Sequence, residues 1–97
     1  MYAIAIIRYR RPLDEVMKVQ DAHRAYLRTL FEAGTLLASG PLDPRSGGGL
    51  LLRVPDDSVQ KSLDSVRDND PYVLNGMAQY ELIPWAVSTG KEKLDQI

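Results

Sequence analysis

The one side chain suited to acid–base chemistry near neutral pH is His23, the only histidine of the chain. A histidine has an unperturbed pKa of about 6.5, so it can take up or release a proton under physiological conditions. His23 falls on or beside the apolar stripe of a helical segment, between Val19 and Leu27. Two interpretations stay open: a catalytic base, or a partly buried structural histidine with a hydrogen-bond partner. The sequence alone favours the second somewhat.

Asp70, followed by Pro71 and Tyr72, is the candidate partner of that histidine. An aspartate before a proline is typical of a helix N-cap, which gives Asp70 a purely structural role. A carboxylate that accepts a hydrogen bond from one imidazole nitrogen fixes the tautomer and leaves the other nitrogen free as a base. The two roles are compatible if each carboxylate oxygen serves one partner.

Other polar residues are weaker candidates for a site. Arg8, in a basic stretch with Arg10 and Arg11, could hold an anionic substrate, although such stretches are more often solvated strand ends. The glycine run 47–49 lacks the pattern of a phosphate-binding loop and leads into a strand, so a hairpin turn is expected. Tyr26, Tyr72, Tyr80 and Trp85 could line a pocket, or pack in a core or a dimer interface.

Composition excludes several classes of protein. The chain has 97 residues, a formal net charge of −1 and no cysteine. Disulfides, thiolate nucleophiles and cysteine-ligated metals are therefore excluded, and no metal-ligand spacing or cofactor motif is present. The charge balance argues against a nucleic-acid partner. No apolar run reaches the roughly 18 residues of a membrane helix, and arginines follow the first apolar stretch, so we expect a cytoplasmic protein with no membrane contact.

The pattern of hydrophobic residues predicts how these side chains are positioned. Strands are predicted at 2–9, 35–41, 49–54 and 78–85, and helices at 13–33 and 57–67, the second opened by a capping box of Asp57 and Gln60. The order is βαββαβ, an α+β fold of the ferredoxin-like type with a four-stranded antiparallel sheet and two helices on one face. We expect a single domain over 1–97, with a core at 1–86 and a C-terminal tail at 87–97.

The first and third strands are apolar on both faces, at Ala3–Ile7 and Leu50–Leu52. Two helices cover only one face of a sheet, and we expect no segment of the chain to be left for the other. The same sheet of a second copy is the simplest cover, because two-fold symmetric dimers are the commonest oligomers. We therefore predict a homodimer packed through the open face of the sheet.

Short motifs along nearly the whole chain, each weak alone, together resemble the YciI-like (YCII-related) domain family. They are the opening strand MYAIAIIRY, His23-Arg24-Ala25-Tyr26-Leu27, Ala38-Ser39-Gly40-Pro41, the glycine-rich hairpin, Asp70-Pro71-Tyr72 and Ile83-Pro84-Trp85. The resemblance implies a dimeric α+β barrel and a His–Asp active site, carried onto His23 and Asp70. Relatives in chloroaromatic breakdown eliminate HCl from ring compounds, and most members have no assigned reaction.

These observations lead to a functional hypothesis. We expect a small cofactor-free enzyme, lyase or isomerase, whose His23 moves a proton on a small cyclic or carbonyl compound while Asp70 orients it. We expect the substrate to contact Arg8, Ser39, Gly40 and Tyr72. The alternative is a non-catalytic dimeric module that binds a small metabolite, and a third interpretation is a purely structural dimer partner.

Overall fold

The computed structural model describes all residues, 1–97, as a four-stranded antiparallel sheet with four of the five helices against one face. In chain order the elements are β1 (Tyr2–Tyr9), α1 (Leu13–Met17), α2 (Gln20–Glu32), β2 (Leu36–Pro41), β3 (Gly47–Arg53), α3 (Val59–Asp68), α4 (Pro71–Leu74), β4 (Ala78–Trp85) and α5 (Lys91–Asp95). The strands lie in the order β2-β3-β1-β4. The predicted α+β class and βαββαβ order are confirmed.

The core lies between the sheet and the helices. In the centre of β1, Ala5 pairs with Leu50 of β3 and with Leu82 of β4, which aligns the apolar positions of three strands on one face. The buried core residues are Ala3, Ala5, Ile7, Val16, Leu36, Leu50, Leu52, Val54, Leu63, Val66, Tyr72 and Ala78. Because side chains alternate between the two faces of a strand, Ile4, Ile6 and Leu51 point away from this core, toward the open face of the sheet.

The prediction of one continuous helix over 13–33 is wrong. The backbone tightens after α1, where the amides of Lys18 and Val19 donate to carbonyls three residues earlier, and α2 begins at Gln20. The apolar period runs across this turn without a glycine or proline, so the sequence carries no stop signal there. At the other end of α2, Gly34 adopts a φ of +81°, as expected of a C′ residue.

The predicted capping box at Asp57 and Gln60 is also wrong. Helix α3 begins at Val59, its N-cap residue is Ser58, and no side chain caps it. Gln60 instead donates to Asp64, one turn further along the helix, at 2.7 Å. The N-cap lies one residue later than the predicted Asp57, so Gln60 occupies N2 rather than the N3 position that a capping box needs.

The tail after β4 packs on the open face of the sheet at one end. The hydroxyl of Tyr2 donates to Asp95 at 2.6 Å, and the guanidinium of Arg53 donates to the carbonyl of Ile97 at 2.9 Å. Tyr2 and Arg53 are paired neighbours on that face. The expectation that no segment of the chain covers the open face therefore needs correction, since α5 and its flanks cover the Tyr2 end. No helix combines the length and the hydropathy needed to cross a bilayer.

Candidate active site

His23 and Asp70 meet beneath the helices, although 47 residues separate them in sequence. His23 extends from the first turn of α2 and is 8% exposed, and Asp70 immediately precedes α4 and is fully buried. The imidazole Nδ1 lies 2.8 Å from the carboxylate Oδ1. The predicted contact between the two side chains is confirmed.

Asp70 is held by groups from three different elements. Its Oδ1 accepts from the backbone N–H of Tyr72 at 2.8 Å, which makes Asp70 the N-cap of α4, and the same oxygen meets His23. Its Oδ2 accepts from the hydroxyl of Tyr80 on β4. The cap and the histidine therefore share one oxygen, which corrects the expectation of one oxygen for each partner. The second oxygen is fixed by a tyrosine that the sequence did not single out for this role.

The contacts of Asp70 determine which imidazole nitrogen of His23 is free to meet a ligand. An ionised carboxylate only accepts hydrogen bonds, so Nδ1 of a neutral His23 must carry the proton that points at Asp70. No protein group binds Nε2, and no side-chain polar atom in the molecule is both buried and without a partner. Nε2 therefore keeps some access to solvent, and in this tautomer its lone pair is available, as a general base requires.

Two tyrosine rings fix the plane of the imidazole. The ring of Tyr72 stacks on His23, with centroids 3.8 Å apart and planes 8° from parallel. Tyr9 packs edge-on against Tyr72 with a centroid distance of 6.0 Å. Since stacking controls the ring plane and Asp70 controls its rotation, His23 is held in one orientation.

The nearby tyrosine hydroxyls act as donors. Burial, together with the charge of Asp70 and the hydrogen bond to it, raises the pKa of Tyr80 far above its ordinary value. Burial also raises the pKa of Tyr72 to about 12, with a further contribution from Tyr9. Tyr26 donates to the carbonyl of Val66 at 2.7 Å, and burial followed by the charge of Asp70 raises its pKa to about 12. At neutral pH these three hydroxyls keep their protons, and none competes with His23 as a base.

A cavity of about 260 Å³ opens beside His23, between α2 and the β2–β3 hairpin. Three of the four expected substrate contacts, Ser39, Gly40 and Tyr72, line it. Gly48 pairs with the core residue Ile7 and so faces the helices, where it lines the cavity. The cavity is lined by Ile7, Tyr9, Gln20, His23, Arg24, Leu27, Ser39, Gly40, Pro41, Arg45, Gly47, Gly48, Gly49, Leu50 and Tyr72.

Arg8 is the expected contact that the structure does not bring to this cavity. Its neighbours Ile7 and Tyr9 face the helices, so alternation along β1 directs Arg8 to the open face of the sheet. There its guanidinium is exposed and lies 2.7 Å from the carboxylate of Glu81 on β4. Arg8 and the cavity are thus on opposite faces of the sheet.

The structure adds cavity residues that the sequence argument did not select: Gln20, Arg24 and Arg45. Gln20 lies three residues before His23 and four residues before Arg24 on α2, and this helical spacing was a usable signal. Arg45 belongs to the turn between β2 and β3, and no local pattern connects it to His23. No three His, Cys, Asp or Glu side chains cluster as ligands of a metal would.

Comparison with known proteins places the fold among characterised ones. Residues 1–86 match the YCII-related domain. Among curated proteins, none matches the chain. Among solved structures, 5-chloro-2-hydroxyhydroquinone dehydrochlorinase (TftG) from Burkholderia phenoliruptrix AC1100, in complex with 2,5-dihydroxybenzoquinone, is similar at a TM-score of 0.73 and 22% sequence identity. The similarity covers 91% of this chain and 96% of that chain, and it is a likeness of fold.

Proposed function

The chain belongs to the family of YCII-related domains, and we propose that it is a small enzyme in which His23 transfers a proton on a small cyclic or carbonyl compound. The observation that carries this proposal is the 2.8 Å contact of Nδ1 with the buried carboxylate of Asp70. That contact leaves Nε2 as a correctly oriented base beside a cavity. A structural histidine needs a hydrogen-bond partner but no such opening.

The proposed chemistry needs only a proton and an electron pair. Nε2 of His23 takes a proton from an O–H or C–H group of the substrate, and the electron pair of that bond moves into the ring or onto a carbonyl oxygen. The carboxylate of Asp70 stabilises the imidazolium that forms. In a lyase the electron pair then expels a leaving group, and in an isomerase the imidazolium returns the proton at another atom. General base catalysis of this kind contributes roughly 10²–10⁴-fold.

The cavity favours a ligand of about one ring. Its volume of about 260 Å³ lies below the range of about 300–1,000 Å³ common for drug-sized ligands. We place Ser39, Gly40 and Tyr72 along the bound ligand, with the aromatic rings of Tyr72 and Tyr9 as a wall for a planar compound. The likeness in fold to a dehydrochlorinase bound to a one-ring quinone supports a ligand of this size.

The functional unit that we propose is a homodimer joined through the open sheet face. The cavity lies on the helix face, so each protomer keeps its own site accessible in that arrangement. The cytoplasmic location stays a prediction.

Proton transfer is tested directly by hydrogen exchange in D₂O. A panel of one-ring quinones, phenols and cyclic ketones, including 2,5-dihydroxybenzoquinone, is incubated with the protein, and loss of carbon-bound ligand protons is followed by NMR. We expect the wild type to accelerate exchange of at least one compound by about 10²-fold or more. His23→Asn should return that rate to the solvent rate while the fold, checked by circular dichroism, persists.

The same experiment separates catalysis from the binding module. Chloride release from 5-chloro-2-hydroxyhydroquinone is measured in parallel as a readout for elimination. Binding of panel members without exchange or chloride release would favour a module that only binds. Equal rates for wild type and His23→Asn would contradict the proposed role of His23.

A further inference from the structure

Two guanidinium groups share one buried acceptor on the wall of the cavity. Guanidinium groups only donate hydrogen bonds, so the Gln20 amide is assigned with its oxygen toward both arginines. In that orientation the oxygen accepts from Nη2 of Arg24 at 3.1 Å and from Nη2 of Arg45 at 2.9 Å. Gln20 is 8% exposed, so this oxygen is a fixed point between the two arginines. Arg45 also approaches the hydroxyl of Tyr9, 3.5 Å from its Nε.

Neither of these arginines has a carboxylate partner. Arg8 lies within salt-bridge distance of Glu81, and Arg67 within that distance of Asp64 and Asp68. Arg24 and Arg45 take part in no such pair, although both charges lie beside one neutral amide. Like charges held close together repel, and an anion between them would relieve that repulsion. Guanidinium groups bind carboxylate and other oxyanions in two-pronged geometry.

We propose that Arg24 and Arg45, aligned by Gln20, bind an ionised oxygen of the substrate, which makes the substrate a one-ring organic anion such as a phenolate, enolate or carboxylate. This inference rests on the proposed function and names the substrate class of the same site. When Nε2 of His23 removes a proton, the electron pair of the broken bond moves through the substrate to the oxygen that faces the arginines. The two cations thus stabilise negative charge that increases in the transition state.

Charge selectivity is the first test. Binding of 2,5-dihydroxybenzoquinone, which is ionised at neutral pH, is compared by calorimetry with binding of the uncharged 2,5-dimethoxybenzoquinone. We expect the anion to bind the wild type at least about tenfold more tightly, and that preference to weaken as salt screens the charges. Arg24→Gln and Arg45→Gln should each reduce affinity for the anion by about tenfold or more and leave the uncharged quinone little affected.

Arg28→Gln is the matched control. Arg28 is an exposed arginine on the same helix, one turn beyond Arg24, and it does not line the cavity. The control should bind both quinones as the wild type does. Three results would each overturn the inference. They are equal affinity of the wild type for the two quinones, no binding of either quinone to the wild type, and wild-type affinity for the anion in both arginine variants.

Gln20→Glu gives a second readout, which combines the melting temperature with quinone binding. The substitution replaces the shared amide oxygen by a carboxylate, which would form an internal ion pair with both arginines. We expect a higher melting temperature for the free protein and loss of the preference for the anionic quinone. A melting temperature at or below that of the wild type, with anion binding retained, would contradict the arrangement.

The outcome is distinguishable from failure of the proposed function. Anion selectivity is measured by binding alone, and it should persist in His23→Asn even if no compound exchanges a proton. The converse result is proton exchange that depends on His23 and yet persists in both arginine variants. That result would support His23 as the base and contradict only the anion site assigned to Arg24 and Arg45.

Discussion

Asp70 performs two tasks with one oxygen, and this sharing determines what its replacement by an amide does. Its Oδ1 faces the backbone N–H of Tyr72 and the Nδ1 of His23, both of which lie 2.8 Å away. An amide at this position must keep its oxygen there, because an NH₂ group would face the N–H of Tyr72. The amide nitrogen is thereby directed to Tyr80, whose hydroxyl oxygen can accept a hydrogen bond.

We therefore predict that Asp70→Asn keeps the tautomer of His23 and loses rate. The oxygen still accepts from Nδ1, while the negative charge that stabilises the imidazolium is gone. The expected slowing of a His23-dependent reaction is on the order of 10²-fold, less than the roughly 10⁴-fold found where an amide imposes the wrong tautomer. Nitrogen-15 NMR of the imidazole measures the tautomer without assignment work, since the chain has a single histidine.

Asp68→Asn supplies the control for this prediction. Asp68 is exposed and contacts Arg67 at 2.8 Å, outside the site. It should leave both the tautomer and the rate unchanged. A proton on Nε2 in Asp70→Asn, or an undiminished rate, would contradict the account of the shared oxygen.

At the level of residues, the sequence predicts the site in part. His23 and Asp70 are recognisable because one is the only histidine and the other precedes a proline at a helix start. Tyr80 cannot be recognised in this way, since a tyrosine on a strand is equally suited to a core. Its hydroxyl reaches Asp70 only because the fold places β4 beside α4. Arg45 is still harder to predict, because the hairpin has to fold over α2 before it meets Gln20.

At the level of elements, the strands are predicted more accurately than the helices. β1 and β4 have the predicted bounds, because alternation and flanking turns mark them clearly. The break between α1 and α2 is invisible in an uninterrupted apolar period, yet it determines that α2 begins at Gln20. β3 begins at Gly47 rather than at the predicted residue 49, and the sequence does not indicate this because a glycine run is typical of a turn.

Gly47 has to be a glycine for a steric reason that can be tested. A Cβ atom on Gly47 would lie 1.7 Å from the carbonyl oxygen of Ile7, on the neighbouring strand β1. We predict that Gly47→Ala forces the two strands apart and lowers the free energy of unfolding by about 1–3 kcal/mol or more. Urea denaturation followed by circular dichroism gives this difference.

Gly40→Ala is the matched substitution on β2. Gly40 also lies in a strand and lines the cavity, but a Cβ atom there would have nothing within 4 Å. Both variants change β-propensity alike, so their difference isolates the clash. A difference below about 0.5 kcal/mol would be within the range of ordinary surface substitutions and would contradict the steric argument.

At the level of the whole molecule, the two faces of the sheet have different surroundings. The helix face holds the core and the candidate site. The open face carries Ile4, Ile6 and Leu51, with Ile83 and Trp85 still 39% and 43% exposed. The tail covers only the end of this face near Tyr2 and Arg53. An apolar area thus remains in the centre of this face and at Ile83 and Trp85, bordered by the ion pair of Arg8 and Glu81, where a second sheet would fit.

We predict that the chain forms a dimer through this area and that Ile83→Asp separates it. Light scattering coupled to size exclusion should give about twice the chain mass of 10.9 kDa for the wild type. In a two-fold symmetric interface each substitution occurs twice, and a carboxylate buried there without a partner is strongly unfavourable.

Leu74→Asp is the control. It makes a similar change at a residue of α4 that is 69% exposed and lies away from the open face, so this variant should remain dimeric. Because the cavity lies on the helix face, monomeric Ile83→Asp should still bind the ligands of the wild type. A wild type that is monomeric at micromolar concentration, or an Ile83→Asp variant that stays dimeric, would show that the open face is not the interface.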